Sequence, residues 1–218
     1  MSLRDSTILR KAVYLWRNWR NKHSYTSGID NKVVNHGGVK VGSRIQIVGK
    51  GNRLTLEKGS MLLNSLVRIT GNNNEVVLKA NCYISGAELW VEDNGCVIEI
   101  GESTFVGHHS HLACTGDGCR LIVGANGMIS SYVQIRTGDS HSILDMEGTR
   151  INPEQHVTIG EHCWIGEGAK VLKGVTLEGD NIVATGAIVT KSFGKNVLLG
   201  GVPARVIKEN VSWNSKRL

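Results

Sequence analysis

His141 is the residue in this chain best suited to acid–base chemistry near neutral pH. An imidazole can take a proton and return it in that range. His141 falls where a run of regularly spaced aliphatic residues, Val123, Ile129 and Ile135, calls for another one, and it stands at the edge of an irregular stretch. Asp139, two residues earlier, shares its face if the segment is extended. It, or a backbone carbonyl, can orient the ring and leave one nitrogen free. The competing reading is an ordinary surface or corner histidine.

The elements that must hold such a residue show in the spacing. Over 157–193, read in sixes from Ile159, the first residue is always aliphatic: Ile159, Ile165, Val171, Leu177, Val183 and Val189. Four places on come Cys163, Ala169, Val175, Asn181, Ala187 and Phe193, with glycine or other small or polar residues between. A period of six fits neither a helix nor a plain alternating strand. It fits a short flat strand and a tight corner, three of which close a triangular coil of a parallel β-helix.

Upstream the repeat is looser. Four similar segments end in Leu56, Leu78, Ile100 and Val123, which are 22, 22 and 23 residues apart. They read as the same solenoid with a Gly/Asn-rich bulge at one corner per turn, and they predict a column of side chains stacked at about 4.8 Å. Sixes resume from Val123 to Ile135. Residues 142–156 then lose the pattern, with Glu147 and Pro153 at places meant for apolar residues. They predict a loop leaving the coil, where chemistry tends to sit. The expected organisation is an all-β triangular solenoid over 39–208, a lead-in over 1–38 that is irregular from 23, and a polar tail over 209–218.

Residues 6–22 read as a helix with an apolar stripe of Ile8, Ala12, Leu15 and Trp19. Either it covers the open first coil or packs on a neighbouring subunit, or it makes peripheral contact with an anionic membrane surface. No apolar run approaches the roughly 20 residues of a membrane span. Gly 27 against Pro 2 suits many tight corners, and 5% aromatics suits a thin interior. Five cysteines, with Arg10 and Lys11 interrupting the early apolar run, predict a reduced, cytoplasmic protein in which Cys82, Cys96, Cys114, Cys119 and Cys163 are packing residues. The net charge of +6 favours an anionic partner. The basic residues form no run and are not interleaved with aromatics, so a phosphorylated small molecule is expected rather than nucleic acid.

Four stretches, taken in order, resemble a known family: Gly138-Asp139-Ser140-His141-Ser142, then 157–166 (VTIGEHCWIG), 186–191 (GAIVTK) and 201–207 (GVPARVI). They are similar to the hexapeptide-repeat acyltransferases, in the branch of galactoside and maltose acetyltransferases and bacterial polysaccharide O-acetyltransferases. The resemblance covers about residues 123–208. It implies a left-handed β-helix, a homotrimer, acetyl-CoA bound between neighbouring subunits, and direct transfer with no acyl-enzyme. His141 matches the family's catalytic base. Trp164 matches a tryptophan near the reacting centre, where an indole or backbone N–H can support an oxyanion; otherwise it is a corner residue shaping the groove. Gly166, Glu167 and Thr185 match turn positions that meet the pantetheine arm. Thr190, Lys191, Arg205 and Lys208 match positions near the adenosine and its phosphates, where basic groups suit, or they are solvated surface charges.

The expected function is an acetyl-CoA-dependent O-acetyltransferase acting on a sugar hydroxyl, in surface polysaccharide biosynthesis. An N-acetyltransferase on an amino sugar nucleotide is the alternative, and an inactive β-helix scaffold a third reading. The long early region departs from the compact helical start of the sugar acetyltransferases, which argues against a small free disaccharide acceptor. His108, His109 and His111 raise a zinc alternative, since the γ-class carbonic anhydrases share the fold. Three histidines crowded on one turn lack the separated positions that such a site needs, so no metal is expected. His108 or His111 can instead line the acceptor cleft.

Overall fold

The computed structural model describes residues 23–216. The helix expected over 6–22 lies outside them. Every regular element among the described residues is a short β-strand. The strands wind coil after coil into a prism, and each parallel pair joins one coil to the next. One full coil is Glu88–Val91 on the first sheet, Val97–Ile100 on the second and Phe105–Val106 on the third. The next begins at His111–Cys114.

The predicted column forms. Leu56, Leu78, Ile100, Val123, Ile159 and Leu177 are register partners along the second sheet, and all six are buried. Ile129, Ile165, Val183 and Leu199 do the same on the third sheet, and Leu112, Ile135, Val171 and Val189 on the first. These inward files, with parallel ones such as Leu54, Val76, Ile98, Leu121 and Val157 and with small corner residues such as Cys163 and Ala169, make up the hydrophobic core, a thin interior filled by aliphatic and small side chains.

The extra residues of the early coils widen the corner between the first and second sheets. Gly49, with φ 125°, sits so close above the next coil that a Cβ there would lie 1.8 Å from the Gly71 carbonyl oxygen. Gly28 and Gly71 repeat this close approach, and Asp93 takes the fourth place with φ 72°. Asparagines tie one bulge to the next: Asn52 Oδ1 accepts the Asn74 N–H at 3.0 Å, and Asn74 Oδ1 accepts the Cys96 N–H at 2.8 Å. At the corner between the third and first sheets, Ser43 and Ser65 repeat the device, each hydroxyl accepting a backbone N–H from the coil below. The five cysteines are buried and unbridged.

Three boundaries differ from the expectation. The solenoid starts at residue 25, inside the stretch 23–38 expected to be irregular: Tyr25–Ser27 and Lys32–Asn35 pair with Arg44–Lys50 and Arg53–Leu56. This coil hides its pattern because Asn35 takes the inward place above Leu56, and Val33 remains 48% exposed. The tail is not loose either. Ala204–Glu209 turns back antiparallel on Val197–Gly201, and Trp213 beyond it returns to the third sheet, where its ring stacks on His162. Finally, His141 does not continue the aliphatic file. The chain leaves the coil after Thr137, and the inward places are taken by Val157 and Ile159.

Candidate active site

The inserted segment sits on the corner between the first and second sheets. Residues 143–151 fold as a hairpin: the Ile151 N–H donates to Ile143 O and the Asp145 N–H to Thr149 O, both at 2.9 Å. Asp145 Oδ1 caps its turn by accepting the Glu147 and Thr149 N–H groups. His141 is exposed at the foot of this hairpin, and its ring makes no hydrogen bond among the described residues.

What fixes His141 is Asn152, a buried side chain. Its Nδ2 donates to the His141 carbonyl and to Asp139 Oδ2, both at 2.9 Å, while its Oδ1 accepts the Ile143 N–H at 2.7 Å. One carboxamide therefore ties Asp139 and His141 to the hairpin. Lys173, from the coil below, closes the arrangement by donating to Asp139 Oδ2 and to Asn152 O. The Lys173 ammonium, and after it Asn152, hold the Asp139 carboxyl below its usual value. The carboxylate expected to orient the His141 ring is instead spent on anchoring the loop. Neither Asn152 nor Lys173 carries a sequence signal for this role, since each meets His141's neighbourhood only once the loop has folded back.

Trp164 lies outward on the third sheet between Met128 and Ile182 and is 36% exposed. Its backbone N–H already donates to Asn181 O at 2.8 Å, which removes one of the two donors expected there. The indole Nε1 reaches Ser130 Oγ at 3.3 Å, a long contact that leaves the group open to a better acceptor. Trp213 sets the ring from behind. It stacks on His162 with centroids 4.6 Å apart, donates to His162 O at 2.8 Å, and tilts against Trp164 at 5.9 Å. A lone tryptophan in a polar tail was the only sequence trace of this support.

The remaining candidates fall into two places. Gly166, Glu167 and Thr185 share the corner between the third and first sheets, where the Gly186 N–H donates to Glu167 O at 2.8 Å. A Cβ on Gly166 would lie 2.7 Å from the Thr185 nitrogen, so only glycine lets these coils close there. The final hairpin brings Arg205 opposite Gly200, at the end of the strand that pairs with Ile182 and Val183, and so toward the same corner; Lys208 lies opposite Leu198. Thr190 and Lys191, by contrast, are exposed below His141 on the corner between the first and second sheets, where the Lys191 ammonium lies 5.5 Å from the Phe193 ring centroid. That corner is across the prism from the third sheet. A single chain therefore does not bring His141 together with Trp164, nor Lys191 with Arg205.

The three clustered histidines also part. His108 and His109 sit at the corner, with His109 stacked on Tyr132 at 5.0 Å, while His111 stands on the first sheet. No group of three potential metal ligands converges among the described residues.

No family model matches the chain. A Dictyostelium discoideum protein that carries a provisional acetyltransferase name is 36% identical over 131 residues, 57% of this chain and 67% of that protein. The polysialic acid O-acetyltransferase of Neisseria meningitidis is 27% identical over 198 residues, 89% of this chain and 91% of that enzyme. Among solved structures, the polySia-specific acetyltransferase NeuO superposes with a TM-score of 0.78 at 28% identity, covering 90% of each chain. The coil is the left-handed β-helix of these enzymes, and the chain belongs to the hexapeptide-repeat acyltransferases.

Proposed function

We propose that the protein transfers the acetyl group of acetyl-CoA to a hydroxyl of a polysaccharide sugar, working as a homotrimer. The observation that carries this reading is His141: an exposed imidazole pinned through its backbone by a buried asparagine, at the mouth of an inserted loop. Similarity to polysialic acid O-acetyltransferases along nearly the whole chain supports the acceptor class.

In this reading His141 takes the proton of the acceptor hydroxyl as its oxygen attacks the thioester carbonyl. The carbonyl electrons move to oxygen, where the Trp164 indole N–H of a neighbouring copy meets the developing charge. Collapse breaks the C–S bond, and the imidazolium returns the proton to the departing sulfur, giving the ester and free CoA. The groove between copies is lined by Gly166, Glu167, Thr185 and Arg205 from one edge and by Thr190 and Lys191 from the other, and Lys208 adds positive charge for the phosphates. Buried, unbridged thiols suit a reducing, cytoplasmic setting.

Incubating the protein with acetyl-CoA and either sialic acid oligomers or an amino sugar nucleotide, with mass analysis of the products, tests the reading. An O-acetyl ester on the oligomer, cleaved by mild base, is expected. An amide on the amino sugar alone would favour N-acetylation, and no CoA release with either acceptor would contradict the proposal.

A further inference from the structure

We infer that a cavity on the outer face of the first sheet, between Trp90 and Arg136, is a subsite in which one sugar ring of the acceptor stacks. The inference rests on the sugar-acetylation reading above and adds to it a place where the glycan is held.

The outward positions of the first sheet form a file with one residue per coil: Gln46, Arg68, Trp90, Ala113 and Arg136 are successive register partners. The file begins as a stack of planes. The Arg68 guanidinium donates to Gln46 Oε1 at 3.1 and 2.8 Å and lies 4.4 Å from the Trp90 ring centroid. At the next coil the stack stops, because Ala113 is buried and presents only a methyl group. It resumes with Arg136 one coil further. Two coil steps, about 9–10 Å, separate the flanking residues, and a cavity of about 250 Å³ opens over Ala113. The His111 ring stands beside Trp90, tilted by 58° with centroids 6.0 Å apart, and a single ring lying on Trp90 at ordinary contact distance, about 3.5–4 Å, takes up a space of this size. The cavity is smaller than the roughly 300 Å³ from which drug-sized sites run, which suits a single ring.

The lining matches a polyhydroxylated ring. Trp90 offers an apolar face of the kind that sugar C–H groups cover. Around it stand donors and acceptors of both kinds: Glu92, His111, Thr115, Arg136 and Ser140. A bare phosphate would meet Glu92 as well as Arg136. Burial lowers the pKa of His111, which favours the neutral ring, one donor and one acceptor. Arg136 is short of partners: a terminal nitrogen donates to Ser140 Oγ at 2.7 Å, while Nε has no acceptor among the described residues. Ser140 both lines the cavity and precedes His141. A ring seated on Trp90 is therefore a neighbour of the sugar whose hydroxyl reaches the base.

The test uses the full chain and two probes, neutral maltotriose and an acidic sialic acid trimer, first by saturation-transfer NMR without acetyl-CoA and then by steady-state kinetics with it. Ala113→Leu fills the slot from its floor while keeping Trp90, Arg136 and His141; Arg136→Gln serves as a second variant, and unchanged melting shows that each is folded. Wild type is expected to bind at least one probe. Ala113→Leu should weaken that binding about tenfold or more, and raise acceptor KM by the same factor with kcat and acetyl-CoA KM held within about twofold. Loss of the acidic probe alone in Arg136→Gln places a carboxylate on that guanidinium; equal loss of the neutral probe places hydroxyls there. Binding by folded Ala113→Leu that equals wild type, or no binding of either probe by wild type, overturns the subsite. Binding without acetyl transfer would instead sink the enzymatic reading and leave the subsite standing.

Discussion

Asn152 decides where His141 sits. Its carboxamide bonds the His141 carbonyl and the carboxylate two residues earlier, so the ring inherits its position from a residue inside the inserted loop. Asn152→Ala is expected to lower kcat about 10- to 100-fold, the scale of a displaced catalytic group, with acetyl-CoA KM little changed; steady-state kinetics on both substrates checks this. His141→Ala should cost about two to four orders of magnitude in kcat without moving the melting temperature, and a loss under threefold would remove the base assignment. The two roles were not equally legible. His141 and Trp164 lie in stretches whose order and spacing resemble a family, so both could be named from sequence. Asn152 sits in the segment that breaks the repeat, where periodicity assigns no neighbours, and Lys173, though inside the regular repeat, meets it only because the loop folds back. Asp139 does not orient the ring, because its carboxylate accepts from Asn152 and from the Lys173 ammonium instead.

At the scale of strands and corners, the sixes were legible because each flat side is only two or three residues long and its inward residue must be aliphatic. The polar ladders were harder to read. A buried asparagine looks like an error in an apolar file until the next coil supplies its partner. Asn74 is 1% exposed; its Nδ2 donates to Asp93 O and its Oδ1 accepts the Cys96 N–H, both at 2.8 Å. Asn74→Ala would orphan both groups and should cost about 2–4 kcal/mol, at roughly 1–3 for each buried polar group left unpaired; chemical denaturation measures it. The terminal coil and the returning tail were missed for a related reason: end elements cover one side only, so their apolar signal is thin. Burial governs the thiols too, pushing Cys82 up to about 12 and Cys163 up to about 11. Those two thiolates are scarce at pH 8 and all five thiols are buried, so the native protein should resist a thiol reagent there, and unfolding should release all five cysteines. Stoichiometric labelling of the native fold would contradict this.

The whole molecule is a prism that carries its candidate chemistry on separate sides. His141, Thr190 and Lys191 lie on the edge between the first and second sheets. Trp164 lies on the opposite face, with Gly166, Glu167, Thr185 and Arg205 toward the edge beyond it. Coils joined by continuous parallel ladders cannot fold one side onto the other, so the proposed site, with His141 and Trp164 side by side, calls for a second copy. Closed cyclic symmetry gives every copy the same pair of contacts. Val171→Asp would put an unpaired charge in the apolar file between Ile135 and Val189 and is expected to abolish the soluble oligomer; a normal elution volume would show otherwise. The decisive measurement is complementation. His141→Ala and Trp164→Ala proteins, each nearly inactive alone, are unfolded together and refolded as mixed oligomers. If each site draws its histidine and its tryptophan from different copies, random mixing restores about a quarter of wild-type activity. Activity no higher than that of the two variants refolded separately would contradict a site shared between copies.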